Sequence, residues 1–150
     1  MINEDFKLIF QKIDSYDFFK VTTKYQSAHK ASSEQVSQVL CELKKWLALC
    51  AANPGKKYHI GSHVDDMWHV FILFTKDYSD FCDKCIGFFL HHEPNISEET
   101  TPINENNDEL FSDYEKHFLK KPPTTIWPRY HAMPGEGGNP RPCHCIYMPR

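Results

Sequence analysis

VDDMWHVFILFTKDYSDFC, residues 64–82, is the stretch on which the reading of this chain turns. From Met67 to Phe74 every position is apolar except His69. A helix with that composition has no solvent face of its own and must be enclosed by other elements. The preceding Ser62-His-Val-Asp65 has the form of a capping box, in which the Ser62 hydroxyl accepts from the amide three residues on and the Asp65 carboxylate reaches back to the Ser62 amide. The helix is therefore predicted to start there, to run to about Cys85, and to form the centre of a compact all-α bundle with little strand.

The flanking segments supply partners. Residues 3–13 read as a helix capped by Asn3, with Glu4 and Asp5 in its first turn and Phe6, Ile9, Phe10 and Ile13 in one stripe. Residues 15–26 are ambiguous, because β-branched and aromatic side chains lower helix preference. Ser32 or Ser33 caps a long helix to about Ala52, with Val36, Val39, Leu40, Leu43, Leu47 and Cys50 on its apolar side and Trp46 beside it. Asn53, Pro54 and Gly55 end it. Residues 93–109 are acid-rich, without Lys or Arg, and read as a solvated loop before a short helix from about Asp108 to Phe118. Residues 1–121 thus make the helical domain. Residues 122–150 hold seven of the ten prolines and three of the six glycines, which rule out long regular elements. This extended Pro/Gly-rich tail carries Ile126, Trp127, Tyr130, Tyr147 and Met148, and is expected to wrap the helical body.

At 150 residues the chain suits one domain and buries enough surface to dispense with staples. Eleven Phe, seven Tyr and three Trp argue against disorder over most of it. A formal charge of −3 gives no electrostatic footprint for nucleic acid or an acidic membrane. No apolar run reaches membrane-spanning length. The start, MINEDFKLIF, lacks the basic flank and cleavage site of a signal peptide. The expected location is therefore cytoplasmic, with reduced thiols. Lys44/Lys45 and Lys120/Lys121 read as ordinary solvated pairs. No phosphate-cradling glycine loop or nucleophile elbow is present, so no nucleotide cofactor is expected.

Two constellations carry chemistry. Asp65 and His69 are one helical turn apart and share a face; His91, His92 and Glu93 follow, and Gly87 lets the chain fold back. A carboxylate beside imidazoles can fix their tautomers for metal ligation or general base work, or it can simply satisfy a core histidine. The sequence predicts that Asp65, His69 and His92 share one polar cluster. The second constellation is Cys82-Asp-Lys-Cys85 with Cys143-His-Cys145, two thiol pairs of which Cys82, Cys143 and Cys145 are the candidate metal ligands. The plainer reading is a core Cys82, an exposed Cys85 and a free Cys-His-Cys tail. In a reducing compartment no Cys41–Cys50 or Cys82–Cys85 disulfide is expected.

The segment VDDMWHVFILFTKDYSDFC, with GFFLHHEP after it, resembles the glycine-rich-domain-containing-protein-like family of plants and bacteria, in its short bacterial form. Asp65, Trp68, His69, Tyr78, Cys82, His92 and Glu93 fall on that family's D-x-x-W-H, tyrosine, cysteine and histidine–acid positions. YEKHFLKKPPTTIWP, residues 114–128, is similar to a second, supporting motif; together the two cover about a third of the chain. The resemblance implies no particular activity. Its plant members often read W-H-x-H where this chain has Phe71, which tells against a site built from two histidines of one helix. Its bacterial members often end in a Cys-rich tail, to which Cys143-His-Cys145 would correspond in reduced form.

The function expected from these readings is a small helical metal-binding protein, with zinc as the metal, or iron if the ligands are histidine and carboxylate. The rivals are a metal-free helical module contacting a protein partner, and a metal-dependent hydrolase or oxygenase using His69 and His92.

Overall fold

A computed structural model describes residues 3–93, 107–127 and 144–147 of the chain. They form six helices: α1 (Glu4–Asp14), α2 (Phe19–His29), α3 (Ser33–Ala52), α4 (Ser62–Leu73), α5 (Thr75–Phe81) and α6 (Asn107–Phe118). Between α5 and α6 lie a π-helical turn, Cys82–Ile86, and a short strand β1 (Leu90–Glu93). A second strand, β2 (His144–Tyr147), pairs antiparallel with β1. The described residues are thus predominantly helical, with a two-stranded ribbon added.

The N-terminal half follows from capping and apolar spacing. The Asn3 side chain accepts from the Asp5 amide, and the Ser32 hydroxyl accepts from the Gln35 amide, so both helices start where a side-chain oxygen satisfies an otherwise orphaned donor. The ambiguous stretch resolves as α2 from Phe19, its amide held by the Asp17 carboxylate at 2.9 Å. Tertiary burial of Val21 and Tyr25, one turn apart, overrides the weak local preference. From Trp46 to Cys50 no residue of α3 reaches solvent, because α1, α2 and α4 all pack against this helix. The centre of the core is therefore shared between α3 and α4.

The long helix expected over 64–85 is not continuous. It breaks at Phe74 (φ −82°, ψ 68°), restarts as α5, and widens into the π turn that Gly87 ends at φ +94°. Leu73 is 75% exposed, so the apolar run is not buried on every side. In one straight helix Trp68 and Tyr78 would stand about 15 Å apart along the axis. The break brings them together, with the Trp68 indole donating to the Tyr78 hydroxyl at 3.2 Å.

The start of α4 also differs from expectation. Gly61, not Ser62, is the N-cap, and no side chain caps the helix. Position 61 is closely packed by the C-terminal segment: a Cβ on Gly61 would come within 2.7 Å of the Ile126 carbonyl and 3.2 Å of the Trp127 ring. The Asp65 carboxylate, relieved of a capping role, turns elsewhere.

After α6 the chain returns to the body at Ile126 and Trp127, which are buried. A buried polar cluster fastens them. The Glu42 carboxylate accepts from the Trp127 indole at 3.0 Å, from the Tyr114 hydroxyl at 2.8 Å and from the Lys45 ammonium at 3.3 Å. Lys45, expected in solvent, is 5% exposed. Burial pushes its pKa down, but its hydrogen bond to the Tyr114 hydroxyl and the Glu42 charge outweigh that and hold it above the ordinary lysine value. Tyr130 and Met148, the other expected anchors, lie outside the described residues, as does the stretch from 94 to 106. No helix among the described residues is long and apolar enough to cross a membrane.

Candidate metal centre

The capping geometry decides where Asp65 points. Its amide donates to the Gly61 carbonyl at 2.8 Å, which fixes it in the first turn of α4. One turn on, His69 brings Nε2 to 3.2 Å from Asp65 Oδ1. His92 comes from β1, and its Nε2 also lies 3.2 Å from the same Oδ1. The two Nε2 atoms, of His69 and His92, are in direct contact. All three candidate ligand atoms lie within 4.8 Å of one another, as a group that could hold a metal ion.

Three side chains hold His92 there. Trp68 is fully buried and backs the imidazole, with ring centroids 4.6 Å apart. Tyr78 accepts from the Trp68 indole and donates to the Leu90 carbonyl. Leu90 is fully buried and starts the strand that carries His92. The α4–α5 break thus serves the site directly: it lets Tyr78 bridge α4 to β1 and set the height of His92.

The arrangement is half open. The Asp65 and His92 side chains are 10% and 11% exposed, whereas that of His69 is 44% exposed, so the centre has a protein floor and an accessible side. The Asp65 hydrogen bond is the main reason that the His69 pKa is raised, with burial opposing it and the charges of Asp65 and Asp66 adding to it. Asp66 borders the centre. Burial raises its carboxyl, a trend that the neighbouring His29 opposes and Asp65 reinforces.

The chemistry of this donor set suits a cation. A proton on His92 Nε2 can serve Asp65 or His69 but not both, because one N–H points along one line. A divalent ion meets all three lone pairs at once. With bonds of about 2.0–2.1 Å, ligand atoms sit about 2.8–3.4 Å apart in octahedral to tetrahedral geometry; both Asp–His separations of 3.2 Å fall within that range, and the two histidine nitrogens stand closer than it. Two histidines and a carboxylate are also the donors of non-haem iron centres with open positions.

The six expected ligands are placed unequally. Asp65, His69 and His92 come together. Cys82 is fully buried at the start of the π turn and is not one of the three. Cys143 lies outside the described residues. Cys145 is in β2, where the ladder sets it opposite His92. Cys41, Cys50, Cys82 and Cys85 form no disulfide with one another; Cys85 is buried, where the plainer reading had it exposed. Sequence reasoning missed Asp66 as a neighbour and the bridging role of Tyr78. Only the spacing from Trp68 hinted at the latter, and that spacing says nothing until the helix breaks.

Fold and geometry together define a helical protein that presents an Asp/His/His cluster between a helix and a short strand. The chain belongs to the UCP032817-like family, whose model matches residues 10–115. That span includes the whole triad and leaves Cys143 and Cys145 outside it. No curated protein and no solved structure matches the chain.

Proposed function

We propose that this is a small metal-binding protein whose centre is Asp65, His69 and His92, with zinc as the metal and ferrous iron as the alternative its donors allow. The observation that carries the reading is the convergence of three ligand atoms, from two separate elements, on one point. Trp68 and Tyr78 support it, since they orient His92 as outer partners orient a ligand. Kinship with the glycine-rich-domain-containing-protein-like family is part of the same proposal, resting on Asp65, Trp68, His69, Tyr78 and His92. A reaction centre is the second reading, favoured by the accessible His69 side; it needs a coordination position left open to water or substrate.

Elemental analysis of tag-free protein, before and after dialysis against a chelator, tests the proposal. The expected result is stoichiometric metal in the wild type, lost in His92→Ala and His69→Ala. A metal-free wild type that also fails to take up zinc in a titration overturns it.

A further inference from the structure

Away from the metal centre a cleft of about 270 Å³ opens between the α1–α2 turn and the α4–α5 break. None of its lining residues belongs to the Asp65/His69/His92 cluster. Val21 and Phe71, both buried, form an apolar floor. Tyr16 and Phe19 are the accessible rings, and Phe19 stands 71% exposed at the start of α2. An aromatic side chain left that open gains free energy when something covers it. The remaining lining groups are charged: Asp17, Lys20 and Asp77.

Two carboxylates against one ammonium leave negative charge in excess. The Lys20 ammonium meets the Asp77 carboxylate at 3.1 Å, but the lysine side chain is 70% exposed, so the pair contributes little and a competing cation can replace it. The Asp17 carboxylate accepts from the Phe19 amide at 2.9 Å, which ties it to the residue that carries the open ring. Burial is the main cause of the raised Tyr16 pKa, and Asp77, Cys85, Asp80 and Asp17 add to it, so the potential at that phenol is negative. The neighbouring Phe18 ring, packed edge-on against Tyr16, already takes a cation, with the Lys44 ammonium 5.6 Å from its centroid.

We propose that this cleft binds a small alkylated ammonium ion. Aromatic faces attract such a cation through their quadrupole, and its alkyl groups cover apolar surface that a hydrated metal ion would leave wet. An anion would meet Asp17 and Asp77. A neutral apolar molecule would cover the carboxylates without replacing the hydration they lose. The volume falls just short of the roughly 300–1,000 Å³ of drug-sized sites, which limits the ligand to a compact one.

Titration of full-length protein with choline or tetramethylammonium chloride, followed by amide shifts in two-dimensional NMR, tests this. The control is the neutral alcohol in which a tert-butyl group replaces the trimethylammonium of choline. With a chelator present throughout, the result is independent of the metal reading. Either salt should give saturable shifts around the cleft, and the alcohol should bind much more weakly. Phe19→Ala should weaken binding by about 2–30-fold, the worth of one ring face. Asp17→Asn should also weaken it, since the amide still caps α2 but carries no charge. Lys20→Ala should tighten it by up to about 5-fold, because Asp77 is then left to the ligand. All three alter exposed side chains, and circular dichroism checks that each variant is folded. No saturable shift at the cleft with either salt, equal affinity for the alcohol, unchanged affinity in Phe19→Ala or Asp17→Asn, or weaker binding in Lys20→Ala overturns the proposal.

Discussion

Replacing Glu42 by Gln should remove a large part of the stability of this protein. The Glu42 carboxylate is 4% exposed and accepts from three groups: Lys45 at 3.3 Å, Tyr114 at 2.8 Å and Trp127 at 3.0 Å. The amide keeps the shape and one acceptor oxygen but not the charge. The Lys45 ammonium, 5% exposed, then keeps the Tyr114 hydroxyl at 3.0 Å but loses its counter-charge. Breaking a buried pair from one side costs about 3–5 kcal/mol, about a fifth or more of the roughly 5–15 kcal/mol that holds a domain together. With a urea slope of about 1–3 kcal/mol per molar, the midpoint should drop by about 2 M. Lys45→Met should cost less, about 1–3 kcal/mol, since Tyr114 and Trp127 still donate to the carboxylate. The double variant should be more stable than the sum of the singles implies, by about 0.5–3 kcal/mol, because it strands no charge. Urea unfolding followed by tryptophan fluorescence measures all four corners of the cycle. A Glu42→Gln midpoint within experimental error of the wild type, or a double variant at or below the additive value, would refute the reasoning.

Tyr78→Phe should destabilise by about 1–3 kcal/mol, since it strands the buried Trp68 indole and frees the Leu90 carbonyl. It should also weaken zinc binding, because β1 loses the contact that sets His92; unchanged affinity by competition titration would show that His92 is placed by other contacts. A pH dependence follows from Asp113, which accepts from Lys56 at 2.8 Å and from Tyr58 at 2.6 Å. Burial pushes this carboxyl up, but the two donors more than reverse it, so its pKa lies below the ordinary 3.8. A group with a depressed folded pKa contributes fully above its unfolded value and loses that contribution as pH falls through the folded one. The wild type should therefore lose stability below about pH 4 more steeply than Asp113→Asn; parallel curves of urea midpoint against pH would contradict this.

Much of the helical frame was legible because its signals are local. Asn3 and Ser32 cap the helices they were expected to cap, and the apolar stripes of α1 and α3 are buried or packed against the core. Asp65 and His69 could be paired from spacing alone, since one helical turn sets their separation whatever surrounds them. The segment from Met67 to Phe74 misled in one respect. Its composition marked a buried helix, and nothing in it marked the break at Phe74, which is decided by Tyr78 reaching both Trp68 and Leu90.

Composition and period by themselves determined the helical class, the helix starts set by side-chain caps, and the candidate ligands, because capping and periodicity act within a few residues. Only the tertiary structure decided that Lys45 is buried against Glu42, since a lysine's burial depends on α6 and the 123–127 segment closing over it. It alone decided that no side chain caps α4, and that Ile126 and Trp127, more than sixty residues away in the chain, leave no room for a Cβ at its Gly61 cap. The meeting of His92 with Asp65 and His69, and of Cys145 with His92 in the ladder, belongs to the same class. These are contacts between distant segments, and their register is set by what packs beneath them rather than by any signal in the residues themselves.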